Sequence, residues 1–128
     1  MRSGFGVVVI SAVLATATAS AQTLPPRCVA ASALPPLERY DQLVAGARFH
    51  LRVRWDATSR SWQPASPLGM PFHHASALEY VGWTAPPASG DTLELELEAI
   101  ERVSSGVRGG TFFFTYRVRV LASCLRTG

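Results

Sequence analysis

Three stretches of the chain alternate apolar and polar residues with a period of two, and this pattern constrains the fold more than any other feature. The sharpest runs from Ala47 to Trp55, where every second residue is apolar. Successive side chains of a strand point to opposite faces of a sheet, so this stretch predicts a strand with one core face and one polar face. The polar face is basic, and it consists of Arg48, His50, Arg52 and Arg54.

The last third of the chain carries the two other alternating stretches. Residues 93–99 alternate leucine or alanine with glutamate, and residues 112–122 alternate apolar residues with residues that include Arg117 and Arg119. We expect a long hairpin around a loop at 104–110. Ile100 breaks the first alternation, so a β-bulge is expected near Ala99 and Ile100. Strands this long must curve, which favours a small barrel.

The charges of this hairpin predict its register. If both apolar faces point inward, either Glu98 faces Arg117 and Glu96 faces Arg119, or Glu96 faces Arg117 and Glu94 faces Arg119. Each register pairs acid with base across the strands, which stabilises a sheet without any ligand. If the glutamate strand also lies beside the basic strand at 48–54, those arginines are neutralised as well.

The remaining elements are shorter. Apolar residues at helical spacing between Pro36 and Gly46 predict a short helix, with a strand over 40–44 as the alternative. Short strands are expected at 61–63 and 77–84. The predicted fold is therefore mostly β: a small antiparallel barrel or sandwich of five to six strands with one short N-terminal helix.

The N-terminus reads as an export signal. Arg2 precedes an apolar run, and Ala19-Ser20-Ala21 fits a cleavage site, so residues 1–21 are expected to be a signal peptide. Residues 22–36 form an extended Pro-rich segment, and residues 37–128 a single β domain. All twelve basic side chains are arginines, as GC-rich codons favour, which suggests a bacterial source. The predicted location is periplasmic or secreted, with no membrane embedding after cleavage.

Cys28 and Cys124 are the two cysteines of the chain, and they lie near the two ends of the predicted mature protein. An oxidising compartment permits disulfides, so we expect these residues to pair and close the domain. We further expect Cys124 on the inward face of its strand.

No local motif of an enzyme is present in the sequence, so the candidate sites rest on residue types. His73 and His74, with His50, have the side chains that zinc or copper prefers, although neighbouring side chains of an extended chain point apart. Trp83 could stack on a ligand. Phe113 and Leu121 lie in the outward phase, which predicts burial under the helix or an interface between copies of the chain.

These features favour a non-catalytic binding module. Its predicted partner is an envelope or secreted protein, or a carbohydrate, bound through the basic face at Arg48, His50, Arg52 and Arg54 or through Trp83. No cofactor and no nucleic acid are expected. The alternatives are a small metal-dependent enzyme or hydrolase that uses the histidines, and an inhibitor of a secreted enzyme that presents the loop at 66–74.

Overall fold

A computed structural model describes residues 23–127, and five strands form one mixed sheet in it. The strands are β1 (Arg48–Asp56), β2 (Ser61–Pro64), β3 (His74–Val81), β4 (Asp91–Arg108) and β5 (Thr111–Thr127). Their order is β2-β1-β4-β5-β3, and every neighbouring pair is antiparallel except β3 with β5. The mostly β prediction and the five strands are confirmed. The signal peptide predicted for residues 1–21 lies outside the described residues.

The prediction of an antiparallel barrel or sandwich is wrong, because strand pairing leaves β2 and β3 at the edges of an open sheet. The four-residue β2 ends at Pro64, whose nitrogen cannot donate to a ladder. Side chains cross the gap instead. The Tyr80 hydroxyl of β3 donates to the Trp62 carbonyl of β2 at 2.8 Å, and the Trp62 Nε1 donates to the Ala85 carbonyl at 3.1 Å. The sheet therefore curls until its edges meet through side chains.

The core lies on the inner face of this curled sheet, as the alternating pattern predicts. Val53 of β1, Leu93, Leu95 and Leu97 of β4, and Val118 of β5 are fully buried. Burial of each such side chain contributes about 1.5–3 kcal/mol. The chain before β1 and the loop after β2 cover the core with further buried residues, namely Leu37, Tyr40, Leu43 and Leu68.

The predicted N-terminal helix is wrong: the structure has one 3₁₀ turn, Tyr40–Gln42, and no strand at 40–44. The backbone here is bonded to other parts of the chain. The Leu37 amide donates to the His50 carbonyl, and the Tyr40 amide donates to the Gly69 carbonyl, both at 2.9 Å. The Tyr40 amide is thereby taken from helical bonding, and the Leu37 amide ties the chain to β1, although the apolar side chains still reach the core.

The β4–β5 hairpin is longer than predicted. The expected loop at 104–110 is wrong, because β4 continues to Arg108 and the turn consists of Gly109 and Gly110. Both glycines have positive φ, 57° and 81°, which a tight two-residue hairpin turn requires. The bulge predicted near Ala99 and Ile100 is confirmed by a shift in register between Ala99 and Glu101.

A bulge at Leu121 reverses the faces of the last part of β5. Glu96 pairs with Ala122 whereas Leu97 pairs with Val120, so Leu121 is the extra residue. Beyond it, the even-numbered residues point away from the core. Cys124 therefore lies opposite Glu94 on the outer face, and the prediction that it points inward is wrong for this reason.

The predicted disulfide between Cys28 and Cys124 is confirmed, and it holds the N-terminal segment on the outer face. The Cys28 amide donates to the Leu125 carbonyl at 2.9 Å beside β5. From there residues 28–37, here called the strap, cross the sheet to β1. Midway, the Ser32 hydroxyl donates to the Glu96 carboxylate at 2.5 Å. The His50 amide of β1 then donates to the Pro35 carbonyl at 2.9 Å.

Candidate functional site

The outer face of the sheet is a ladder of opposite charges, because β4 with its glutamates lies between β1 and β5 with their arginines. Arg48 Nε lies 3.5 Å from Glu98 Oε2, and Arg119 Nη1 donates to Glu98 Oε1 at 3.0 Å from the other side. Arg52 Nε donates to Glu94 Oε2 at 2.6 Å. Two of the candidate binding arginines, Arg48 and Arg52, are thus matched by acids.

Both predicted registers of the hairpin are wrong in their pairs, although acid still meets base. Glu98 pairs with Arg119, and Glu101 pairs with Arg117, with Arg117 Nη1 donating to Glu101 Oε2 at 2.5 Å. The turn at Gly109 and Gly110 lies beyond the centre of the predicted loop, which moves every pair of the hairpin, and the register shifts between Ser104 and Gly106 and between Ala99 and Glu101 change the pairing by one residue each. The hydrogen bond to Glu101 is the main cause of the raised pKa of Arg117.

Two arginines and a histidine converge on the Glu94 carboxylate, whose side chain is 13% exposed. Besides Arg52, Arg126 Nε lies 3.4 Å from Oε2, and His50 Nδ1 lies 3.6 Å from Oε1. The Arg126 Nε and His50 Nδ1 atoms are buried and make no hydrogen bond. One acid therefore serves two permanently charged arginines, which leaves an excess of positive charge around it.

The sequence did not predict that Arg126 belongs to this site. If the alternation that begins at Phe112 continued without a bulge, Arg126 would lie on the core face. The Leu121 bulge brings it to the outer face beside Glu94 and Thr92. The only available signal was the charge itself, since an unpaired arginine in a core position argues against that position.

A groove of about 810 Å³ opens above this cluster, between the strap, β1 and the loop after β2. Its charged lining consists of Arg52, Arg54, Arg126, Glu38 and Glu94, with His50 beside them. Arg54 is paired with Gln63 and Thr92 in the backbone register, and its side chain has no ion pair or hydrogen bond within residues 23–127. The three arginines of the lining exceed its two glutamates by one charge, and Arg54 is the arginine that forms no ion pair within residues 23–127. Among residues 23–127, no phenylalanine, tyrosine or tryptophan lines it.

The other predicted site residues lie elsewhere. The half-buried Trp83 packs edge-on against Tyr80 with ring centroids 5.3 Å apart, next to the core and outside the groove. Leu121 is exposed at its bulge, and Phe113 is half-buried with the Arg108 guanidinium 5.0 Å above its ring. The helix expected to cover these two residues is absent from the described chain.

The three histidines are not brought together. His73 adopts a positive φ of 63° and its ring lies 3.9 Å from that of Phe72, whereas His74 packs its ring 4.9 Å from Phe114. His50 stands on the outer face at Glu94. Within residues 23–127 there is no cluster of three or more histidine, cysteine, aspartate or glutamate side chains that could hold a metal ion.

None of the helical turns in the described part of the chain is long and apolar enough to span a membrane. A comparison with protein-family models, with curated proteins and with solved structures found no match to this chain in any of the three.

Proposed function

We propose that this protein is a non-catalytic binding module, exported to the periplasm or the medium, whose groove binds an acidic segment of another envelope or secreted protein. The observation that carries the proposal is the unneutralised Arg54 beside Arg52 and Arg126, which share the single carboxylate of Glu94. The disulfide is compatible with an oxidising compartment and supports export.

The arginines have donors left for a ligand. A guanidinium carries five N–H donors, and Arg52 uses its Nε toward Glu94. Both the Arg52 and the Arg126 side chains remain partly exposed, at 51% and 39%. Guanidinium groups bind carboxylates through paired hydrogen bonds, which are stronger than those between neutral groups. An incoming carboxylate would therefore complete the charge balance that Glu94 leaves incomplete.

The lining favours an acidic peptide over a carbohydrate. Sugar rings are commonly held by stacking on aromatic side chains, and none lines this groove. The groove volume is in the range of pockets that bury a small ligand, so it can hold a few residues of an extended segment. The wall formed by the strap adds Ser32 as a neutral polar group.

The test is the binding of a fluorescein-labelled decaglutamate peptide, followed by fluorescence polarisation. We expect Arg54→Gln to weaken binding roughly tenfold, since a charge-assisted hydrogen bond contributes about 1.5–3 kcal/mol. The melting temperature should not change, because the Arg54 side chain has no partner in the described chain. The expected binding should also weaken at high salt.

The matched control is Arg60→Gln, which removes the same charge from the β1–β2 turn outside the groove. Equal weakening by both variants would show that only net charge matters and would contradict the proposal, as would a failure of decaglutamate to bind. Binding of oligogalacturonate, but not of decaglutamate, with the same dependence on Arg54 would assign the groove to an anionic carbohydrate instead.

A further inference from the structure

The β4–β5 hairpin extends beyond the core of the molecule. The core on these strands ends near Ala99 and Tyr116, yet β4 continues for about nine residues beyond Ala99, and β5 begins about five residues before Tyr116, after the turn at Gly109 and Gly110. Every residue from 101 to 108 is exposed. The start of β3 pairs with this extension, with His74 opposite Phe112. The loop at 70–73 is fastened to it, because the Phe112 amide donates to the His73 carbonyl at 2.8 Å.

Large apolar side chains are exposed at this end, which we call the hairpin end and define as residues 70–76 and 102–115. Phe72 is 84% exposed and Val107 is 57% exposed. The other exposed large apolar residues here are Met70, Val103 and Phe112. Several exposed large apolar side chains at one end of a molecule are typical of a binding site for a protein or a membrane.

The charge of the hairpin end has one sign. It contains no aspartate or glutamate, and its permanently charged side chains are Arg102 and Arg108. The Arg102 guanidinium lies 4.4 Å above the Phe114 ring, and that of Arg108 lies 5.0 Å above the Phe113 ring. Neither arginine forms an ion pair within residues 23–127.

At the hairpin end, both faces of the β4–β5 ribbon combine phenylalanine rings with an arginine. Arg102, Phe112 and Phe114 lie on the face that continues the core face, since Arg102 pairs with the buried Tyr116. Phe113 and Arg108 lie on the opposite face, because Phe113 alternates with Phe112 and Phe114 along β5. A docked protein would cover one face of the ribbon and leave the other apolar face in water. A lipid bilayer, in contrast, surrounds an inserted hairpin on both of its faces.

We propose that the hairpin end docks on the surface of a bilayer that contains anionic phospholipid. The phenylalanine and valine side chains enter the boundary between headgroups and acyl chains, as amphipathic surface segments do. The two guanidiniums stay over their phenylalanine rings at the headgroup level and bind lipid phosphates with their N–H groups. This proposal is independent of the groove, whose residues lie at the other end of β4 and β5.

The experiment is co-sedimentation of the mature protein with phospholipid vesicles. We expect binding to vesicles that mix phosphatidylcholine with phosphatidylglycerol to be roughly tenfold tighter than binding to pure phosphatidylcholine, because each arginine near an anionic surface favours binding by a few fold. The double variant Phe112→Ser with Phe113→Ser should abolish sedimentation with both kinds of vesicle. The variant Arg108→Gln should reduce the preference for phosphatidylglycerol by roughly threefold.

Two matched controls distinguish binding through the hairpin end from binding through exposed apolar side chains or positive charge elsewhere on the protein. Leu24→Ser with Val29→Ser removes two exposed apolar side chains, one before the strap and one within it, and Arg60→Gln removes one arginine from another turn. Neither should change sedimentation. Circular dichroism melts of all variants verify that each is folded.

Three results would overturn the proposal. The first is no sedimentation with the mixed vesicles, and the second is equal loss of binding in the hairpin variants and their controls. The third is a monomer–dimer equilibrium in analytical ultracentrifugation that Phe112→Ser with Phe113→Ser removes, in a protein that does not bind vesicles. That result would assign the hairpin end to a second copy of the chain.

Discussion

Glu94 is the side chain on which the outer face of the sheet depends. Its carboxylate is the acid partner of Arg52 and Arg126 and lies within ion-pair distance of His50. The sequence shows His50 and Arg52 on one face, because β1 alternates without interruption. It does not show Arg126 there, since a single bulge residue at Leu121 reverses the faces of the strand after it. The positions of His50 and Arg52 were therefore predictable, and that of Arg126 was not.

Replacement of this acid should separate stability from binding. In Glu94→Gln, the buried Arg126 Nε loses the one acid of residues 23–127 within ion-pair distance, so we expect the free energy of unfolding to fall by about 1–3 kcal/mol. The same change removes the carboxylate that competes with a ligand, so decaglutamate should bind more tightly. Urea unfolding and fluorescence polarisation measure the two effects.

The matched variant is Glu98→Gln, which removes an acid from the same strand outside the groove lining. It should lower stability less, because its partners Arg48 and Arg119 are more than half exposed, and it should leave decaglutamate affinity unchanged. Weaker peptide binding by Glu94→Gln would contradict the assigned role of the cluster.

Among the elements, the strands with clean alternation were predictable and those fixed by distant contacts were not. The 47–55 pattern gives β1 almost to the residue. The strand predicted at 77–84 is instead His74–Val81, because it pairs in parallel with β5 and begins where Phe112 is available opposite His74. Local sequence carries no signal for that pairing. The predicted helix failed for a related reason, since its amides bond to β1 and to the loop after β2.

The contact between the two edge strands gives a prediction for alkaline pH. Burial, with a smaller effect of Tyr40, raises the pKa of Tyr80 well above its usual 10.0. Above pH 10 the unfolded chain releases this proton before the folded chain does, so stability should fall as the pH rises. Below pH 10 the protonated hydroxyl keeps its bond to the Trp62 carbonyl.

The variant Tyr80→Phe removes both effects. We expect it to lower the free energy of unfolding by about 1 kcal/mol at neutral pH, because the bond between the edges is lost. It should also make the decline in stability above pH 10 less steep than in the wild type. Urea unfolding across this range measures both, and an unchanged alkaline slope would contradict the assignment to Tyr80.

At the scale of the whole molecule, one covalent link joins the strap to the end of β5. The disulfide closes a loop with a sequence separation of 96 residues, and the sequence predicted it from cysteine count and compartment. The open sheet was not predictable, because period-two patterns define the faces of strands and leave the pairing of edges undetermined. A parallel edge strand and the short β2 decide that the sheet stays open.

Removal of the disulfide should loosen both the fold and the groove. In the chain-entropy model, a disulfide that closes a loop of this length stabilises the folded state by about 4.5 kcal/mol. Cys28→Ser with Cys124→Ser should therefore lower the melting temperature by roughly 10 °C or more. Decaglutamate binding should weaken as well, because the strap forms one wall of the groove.

Wild-type protein treated with dithiothreitol serves as the comparison for this double variant. Its melting temperature should approach that of the variant, since both lack the same link. A variant as stable as the oxidised wild type would show that the hydrogen bonds around Cys28 and Leu125 are sufficient to hold the strap.

The length of β4 has a consequence for how charges at its ends influence each other. Glu94 lies near its start and Arg108 at its end, so at the usual rise per residue they are separated by roughly 40 Å along the ribbon. The Debye length in physiological salt is about 8 Å. The groove and the hairpin end are thus several Debye lengths apart, so salt screens the electrostatic potential of one from the other. Each can bind, change charge or be occupied without altering the potential at the other, so one small domain carries two independent charged surfaces.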